Sequence, residues 1–215
     1  VSNRYFHNGR RVPSVTEILK NASLIDTRWY SEETAWRGSV VHECTRLDDL
    51  GDLDESSVPP EVQGYLDAWR RAKEDFGFTR FDEIEEERTC SEFGGRPDRI
   101  VDGRVVDLKS GTLQPATAIQ LAAYAYLADR MNWLERLGIE LHDDGTYKPF
   151  VFSIREHRQD RALFFSALGI HNWKLLKGVY RYDTTDNSNG DDGDHKDGAG
   201  SPSVAQSDSI GGQRD

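Results

Sequence analysis

The stretch that most constrains this chain is Gly95-Arg96-Pro97-Asp98, followed after eight residues by Asp107-Leu108-Lys109-Ser110-Gly111. Between them lies Asp102-Gly103, flanked by Arg99-Ile100-Val101 and Arg104-Val105-Val106. Asp-Gly suits the left-handed conformations of a two-residue type I′ turn, so the stretch predicts a β-hairpin. Counting outward from the turn sets the register. Val101 faces Arg104, Ile100 faces Val105, Arg99 faces Val106, and Asp98 falls opposite Asp107. Directly opposed residues have Cβ atoms roughly 4.5–5.5 Å apart, and like charges there repel. Lys109, two positions past Asp107, shares its face of the strand. Two accounts fit: a solvated hairpin face with an ordinary cross-strand ion pair, or two carboxylates arranged around a cation with a lysine beside them.

The neighbouring segments bear on that choice. Ser31 followed by Glu32 and Glu33 predicts a capped helix start with an acidic first turn. The helix runs through Arg37-Gly38-Ser39-Val40-Val41-His42 to near Gly51. Gly38 and His42, four apart, share a face. A glycine inside a helix costs up to about 1 kcal/mol against alanine, so close backbone approach is the expected reason for Gly38. Such an approach would aim His42 at the hairpin carboxylates. Downstream, Ala116 to Met131 reads as a helix apolar on most sides, with Gln120 and Tyr124 forming a polar i, i+4 pair. Each feature also has a plain structural account: a surface histidine, a satisfied core amide, a packing phenol.

Taken in order, Gly-x-x-x-His, Gly-Arg-Pro-Asp, Asp-x-Lys and Gln-x-x-x-Tyr resemble the PD-(D/E)XK nuclease superfamily, most closely its RecB-like exonuclease branch of the type encoded by tailed phages. The opening Gly9-Arg10-Arg11-Val12-Pro13-Ser14-Val15-Thr16-Glu17-Ile18-Leu19 is similar to the start of those phage proteins, and the resemblance covers roughly residues 5–180. It implies Asp98, Asp107 and His42 as metal ligands, with the Leu108 backbone carbonyl as a further one. Lys109 would be the catalytic lysine alongside Asp98 and Asp107. Gln120 and Tyr124 would brace the site close to DNA. A strand glutamate often completes the set. Glu85, Glu86 and Glu87 are consecutive, and Glu86 is the one taken here.

The chemistry suits those residue types. Mg²⁺ prefers oxygen ligands, and a histidine shifts preference toward Mn²⁺. The implied reaction is hydrolysis of a phosphodiester, with Lys109 orienting water or stabilising developing charge. The expected function is a metal-dependent DNA exonuclease acting at linear DNA ends in phage recombination or replication. A structure- or site-specific endonuclease on the same core, and a catalytically silent DNA-binding module, are the alternatives. By family analogy the partners are DNA, a recombination or single-strand annealing protein, and further copies of the chain.

Composition sets the context. From Asp183 onward there are eight aspartates against Lys196 and Arg214, which places −6 of the chain's −11 in that segment. It has no aromatic residue and no leucine, so it is expected to be a disordered acidic tail (183–215) after a nuclease domain (1–182). Basic patches available to phosphate are Arg4, Arg10 and Arg11; Arg70, Arg71 and Lys73; and Lys174, Lys177 and Arg181. Only Cys44 and Cys90 occur, so no iron–sulfur cluster of the four-cysteine kind is expected. No apolar run reaches the roughly 20 residues of a membrane span and no signal peptide is evident. The expected place is the cytoplasm, a host's if the chain is phage-encoded.

The order of elements predicts an α/β fold with a restriction-endonuclease-like core, a mixed sheet flanked by helices on both faces. Expected elements are a hairpin around Asn8-Gly9, helices Ser14–Ala22 and Pro60–Phe76, and strands near Phe81–Thr89, Arg96–Val101 and Val105–Lys109. A hairpin of Ile139–His142 with Tyr147–Ile154 and a helix from Arg161 to about Leu176 complete the set.

Overall fold

Short polar caps decide where the first helices begin. The structure, a computed structural model, describes residues 4–26, 28, 31–128 and 135–182. Strands β1 (Tyr5–His7) and β2 (Arg10–Val12) pair as a hairpin with Tyr5 opposite Val12. Helix α1 (Val15–Asn21) follows from a capping box, in which Ser14 and Glu17 each bond the other's backbone N–H. Helix α2 (Glu32–Leu50) starts from the equivalent Ser31–Thr34 box and stops where Gly51 turns left-handed. Helix α3 (Pro60–Phe76) starts on proline, whose missing N–H would be unpaired there anyway, and ends at left-handed Gly77.

Then come the short strands β3 (Glu83–Ile84), β4 (Arg88–Thr89), β5 (Gly94–Gly95) and β6 (Arg99–Val101), the longer β7 (Arg104–Lys109), and helix α4 (Ala116–Ala128). Strands β8 (Glu135–Leu141) and β9 (Tyr147–Phe152) and helix α5 (Ile154–Leu176) close the fold. The main sheet runs β3-β6-β7-β8-β9, with β7 and β8 parallel and every other pair antiparallel. Helix α4 supplies the crossover that a parallel pair requires. Strands β4 and β5 form a separate ribbon, beside which β1 packs. A Cβ at Gly94 would sit 2.6 Å from the Tyr5 ring, so only glycine permits that contact.

Strand alternation divides the core into two layers. Ile100 and Val105 point toward α1, α4 and α5, joining Ile18, Phe93, Leu121 and Phe164. Val101, Val106, Leu108, Leu137 and Ile139 point toward α2 and α3, joining Val41, Val62 and Trp69. Helices on both faces of a mixed sheet are the expected architecture. No helix among the described residues is long and apolar enough to cross a membrane. Contacts divide the chain into a unit spanning Val1–Tyr180 and one spanning Arg181–Asp215. The expected acidic tail, residues 183–215, lies outside the described residues, as does the end of the Ala116–Met131 helix beyond Ala128.

Three boundaries differ from the reading of the sequence. The expected strand Phe81–Thr89 is two separate two-residue strands in different sheets, because Glu85 adopts φ 51° and turns the chain between them. Helix α5 begins at Ile154 and not at Arg161, since the Ser153 hydroxyl caps the Arg155 N–H where an apolar strand pattern suggested continued extension. Strand β8 begins at Glu135, four residues early. Arg136 is buried there because Asp160 and the carbonyls of Ala118 and Ser153 accept its guanidinium hydrogen bonds.

Candidate metal centre and active site

The turn forms as the sequence demands. Asp102 and Gly103 both take positive φ, and the register is Val101↔Arg104, Ile100↔Val105 and Arg99↔Val106. The ladder stops at Arg99. Asp98, the next residue out, accepts a 2.7 Å hydrogen bond from the Leu108 N–H through Oδ2. Its other oxygen, Oδ1, lies 3.5 Å from His42 Nδ1.

A second device brings α2 to the hairpin. Arg99, wholly buried, donates from Nε to Asp49 Oδ2 at 2.6 Å, from Nη1 to the Asp98 carbonyl at 2.7 Å, and from Nη2 to Thr45 Oγ1 at 3.3 Å. His42, Thr45 and Asp49 follow one face of α2 at i, i+3 and i+7. The bonds that satisfy Arg99 therefore hold the His42 face against Asp98. Close approach at Gly38 is not the means. A Cβ there would find only Ser110 Oγ, at an ordinary 3.7 Å.

The kink at Glu85 turns that side chain, and not Glu86, into the cluster. The Glu85 N–H donates to the Asp98 carbonyl at 3.0 Å. Its Oε1 lies 3.9 Å from His42 Nδ1 and 3.8 Å from Arg99 Nη1, while Oε2 lies 3.4 Å from Arg96 Nη2. Ligand atoms of His42, Glu85 and Asp98 all fall within 4.8 Å of one another. Glu86 points to solvent. Three adjacent glutamates gave the sequence no means to choose, because the choice is made by one backbone torsion.

Asp107 stands beside this triad, on the face of β7 that it shares with Lys109 and Val105. Its Oδ2 is 2.6 Å from Lys109 Nζ. Leu108, between them, buries its side chain in the opposite layer and gives its N–H to Asp98. Gln120 Nε2 donates to the Tyr124 hydroxyl oxygen at 3.0 Å, so the expected pair does form. The Tyr124 ring packs against Gly95, where a Cβ would be 2.6 Å from Cε1. The loop after Lys109 is pinned as well. The Leu113 N–H donates to Glu140 Oε1 at 2.6 Å, and Gln114 exchanges two 2.9 Å bonds with the Asp26 backbone. Arg99 and Glu140 are contributors that sequence reasoning missed, and Glu85 is one of the three adjacent glutamates among which it had no means to choose. Arg99 and Glu140 left no local signal, because their partners lie far away along the chain.

Electrostatics set the cluster apart. Burial pushes the Glu85 carboxyl above the ordinary carboxylate range, and the Asp98 charge pushes it further. Burial also raises Asp107, opposed by the Lys109 charge and reinforced by that of Asp98. For Lys109, burial favours the neutral amine, but the charges of Asp107 and Asp98 outweigh it and hold the ammonium. Tyr124 is raised by burial and by Asp107, so its phenol stays protonated. Three carboxylates share a small volume, and the buried Oε1 of Glu85 accepts no hydrogen bond. A buried carboxylate oxygen without a donor is costly unless a cation or a proton satisfies it. Two carboxylates and an imidazole fit a divalent ion with mixed oxygen and nitrogen ligands, so the residues present suit the metal that the resemblance implies.

Among the basic patches proposed from sequence, Arg70 and Lys73 are occupied within the protein. Arg70 pairs with Asp48 and Glu55, and Lys73 pairs with Asp48 and Asp49. Lys174 donates to the Asn21 carbonyl.

A mixed sheet with acids clustered at its strand ends and a lysine on β7 is the arrangement the sequence resemblance implies, and a comparison with family models supplies the class. A model of the PD-(D/E)XK nuclease superfamily matches residues 22–163. The chain belongs to that superfamily. Among solved structures it is similar to an alkaline exonuclease from Laribacter hongkongensis, at 14% identity over 78% of this chain and 93% of that one, with a TM-score of 0.37. The complex of that exonuclease with dAMP matches at 16% identity, over 78% and 94%, with a TM-score of 0.34. No curated protein sequence matches the chain.

Proposed function

We propose that the chain is a metal-dependent deoxyribonuclease that hydrolyses phosphodiester bonds at linear DNA ends. The observation that carries this is the convergence of His42, Glu85 and Asp98 within 4.8 Å beside the Asp107–Lys109 pair. His42, Glu85 and Asp98 would hold the ion, with Asp107 adjoining them. When bound, a divalent ion lowers the pKa of its water and offsets charge on the phosphoryl oxygens. Asp107 holds the Lys109 ammonium in place, 32% of that side chain remaining open to solvent. Lys109 then donates hydrogen bonds to the attacking oxygen or to the charge developing on phosphorus-bound oxygen. The Gln120–Tyr124 pair braces the wall behind Gly95, and Glu140 fixes the loop that leaves Lys109. The nuclease domain is assigned to residues 1–182. A role in phage recombination, with an annealing partner, rests on the sequence resemblance alone.

The test is digestion of linear duplex and closed circular plasmid with Mg²⁺, Mn²⁺ or EDTA, comparing wild type with Lys109→Ala. Loss of the linear substrate only, dependent on metal and reduced by about 10³-fold or more in the variant, is expected. Cutting of the circle would replace the exonuclease reading by an endonuclease one. Undiminished cleavage by Lys109→Ala would remove Lys109 from the site.

A further inference from the structure

Four cations surround the triad, and the structure treats one of them differently. Arg99 is buried and donates to three acceptors. Arg46 makes a two-pronged pair with Glu43, at 3.0 and 2.8 Å. Lys109 lies 2.6 Å from Asp107. Arg96 has as its nearest acceptor Glu85 Oε2, at 3.4 Å, and donates no hydrogen bond among the described residues. Its side chain is 40% exposed, against 10% for Glu85 and 13% for Asp98. It is thus the outermost member of the group, its donors facing whatever reaches the carboxylates from solvent.

The backbone beneath Arg96 is fixed. Gly95 on one side is locked against Tyr124 and paired with Arg88. Pro97 on the other restricts the residue before it to extended conformations. A guanidinium on a rigid base, with several unspent donors in a planar fork, matches the oxygens of a phosphate. The other two arginines of the group are held in place by hydrogen bonds of 3.3 Å or less, Arg46 to Glu43 and Arg99 to Asp49, Thr45 and the Asp98 carbonyl, so neither is as free as Arg96 to turn toward a phosphate.

From this geometry we infer that Arg96 is the contact by which the site grips a backbone phosphate of the nucleic-acid strand, independently of any bound ion. The inference rests on the nuclease reading above and adds to it a specific residue for strand binding. Glu85 plays two parts here. It joins the metal-binding triad, and it holds the guanidinium loosely beside that triad until a phosphate competes for it.

The test measures binding without turnover. A short end-labelled duplex is titrated with wild type, Arg96→Ala, Arg96→Lys and Arg46→Ala in EDTA over a series of NaCl concentrations. Arg96→Ala should bind about tenfold more weakly. Its plot of log affinity against log salt should be shallower by about one, the signature of one lost phosphate contact. Arg96→Lys keeps the charge, so it should recover the slope and part of the affinity. Arg46→Ala, whose guanidinium is already paired, should bind as wild type. Wild-type affinity and slope in Arg96→Ala would overturn the inference while leaving the plasmid assay free to support a nuclease. Weakened binding with an unchanged slope, not improved by lysine, would mean a structural role and would also overturn it. Failure of wild type to bind the duplex at low salt in EDTA would overturn this inference, which claims a contact independent of any ion, while the nuclease reading would still be decided by the plasmid assay with metal.

Discussion

Helix α2 contributes to two ionic clusters that solve opposite problems. At its C-terminal end, Asp48 and Asp49 meet Arg70, Lys73 and Arg99, with Trp69 donating its indole N–H to Asp49. Charges there are matched, and each carboxylate has cationic partners. Two turns earlier, His42 meets Glu85 and Asp98, with Asp107 close by; Lys109 pairs with Asp107, while Arg96 and Arg99 lie 3.4 and 3.8 Å from Glu85 without donating a hydrogen bond to it. One cluster satisfies its acceptors within the chain, whereas the other keeps a buried Glu85 oxygen that accepts no hydrogen bond, the place the proposed ion would take. Burial alone does not tell a structural ion network from a site, because Asp49 and Asp107 are both buried. What tells them apart is whether the buried acceptors are satisfied.

The largest effect should come from breaking the complete cluster. Asp49→Ala leaves the Arg99 guanidinium buried without its carboxylate, which should cost about 3–5 kcal/mol of stability by urea denaturation. A loss under about 1 kcal/mol would mean that the network is not what joins α2 to the hairpin. A smaller effect is expected at Asp48. Burial pushes its pKa up, but hydrogen bonds from Arg70 and Lys73 outweigh this and hold it below its ordinary 3.8. A carboxylate depressed in the folded state stabilises the protein above its unfolded pKa, and that contribution is lost as pH falls through the folded value. Asp48→Asn should therefore cost about 1–3 kcal/mol near neutral pH and flatten the acid limb of a stability–pH profile below about pH 4. An unchanged limb would assign acid sensitivity to other groups.

The same contrast explains what could be read from the chain in advance. Local chemistry was legible: the Asp102-Gly103 turn fixed the register, and Ser14, Ser31 and Pro60 marked helix starts where the structure has them. So was the company of His42 and Asp98, and of Asp107 and Lys109, through motif order and strand alternation. Contacts between distant segments were not legible. Arg70 and Lys73 read as a patch open to DNA because the acids that neutralise them lie 15–25 residues away. Glu86 was taken in place of Glu85 because a single left-handed torsion, invisible in a run of glutamates, sets which one turns inward. Gly38 was given a packing role, yet it faces open room before Ser110.

The most direct test is thermal unfolding of wild type, Glu85→Gln and Glu86→Gln, each with EDTA and with excess Mn²⁺. Neutralising an acid in the unsatisfied cluster should stabilise the metal-free protein, so Glu85→Gln in EDTA should melt about 2–4 °C above wild type, a gain of about 1 kcal/mol. Excess Mn²⁺ should stabilise wild type and Glu86→Gln, by about 2.7 kcal/mol at a hundredfold excess over Kd, and should have little effect on Glu85→Gln. A Glu85→Gln protein that melts below wild type in EDTA and still responds fully to Mn²⁺ would contradict the assignment of His42, Glu85 and Asp98 as the ion's seat.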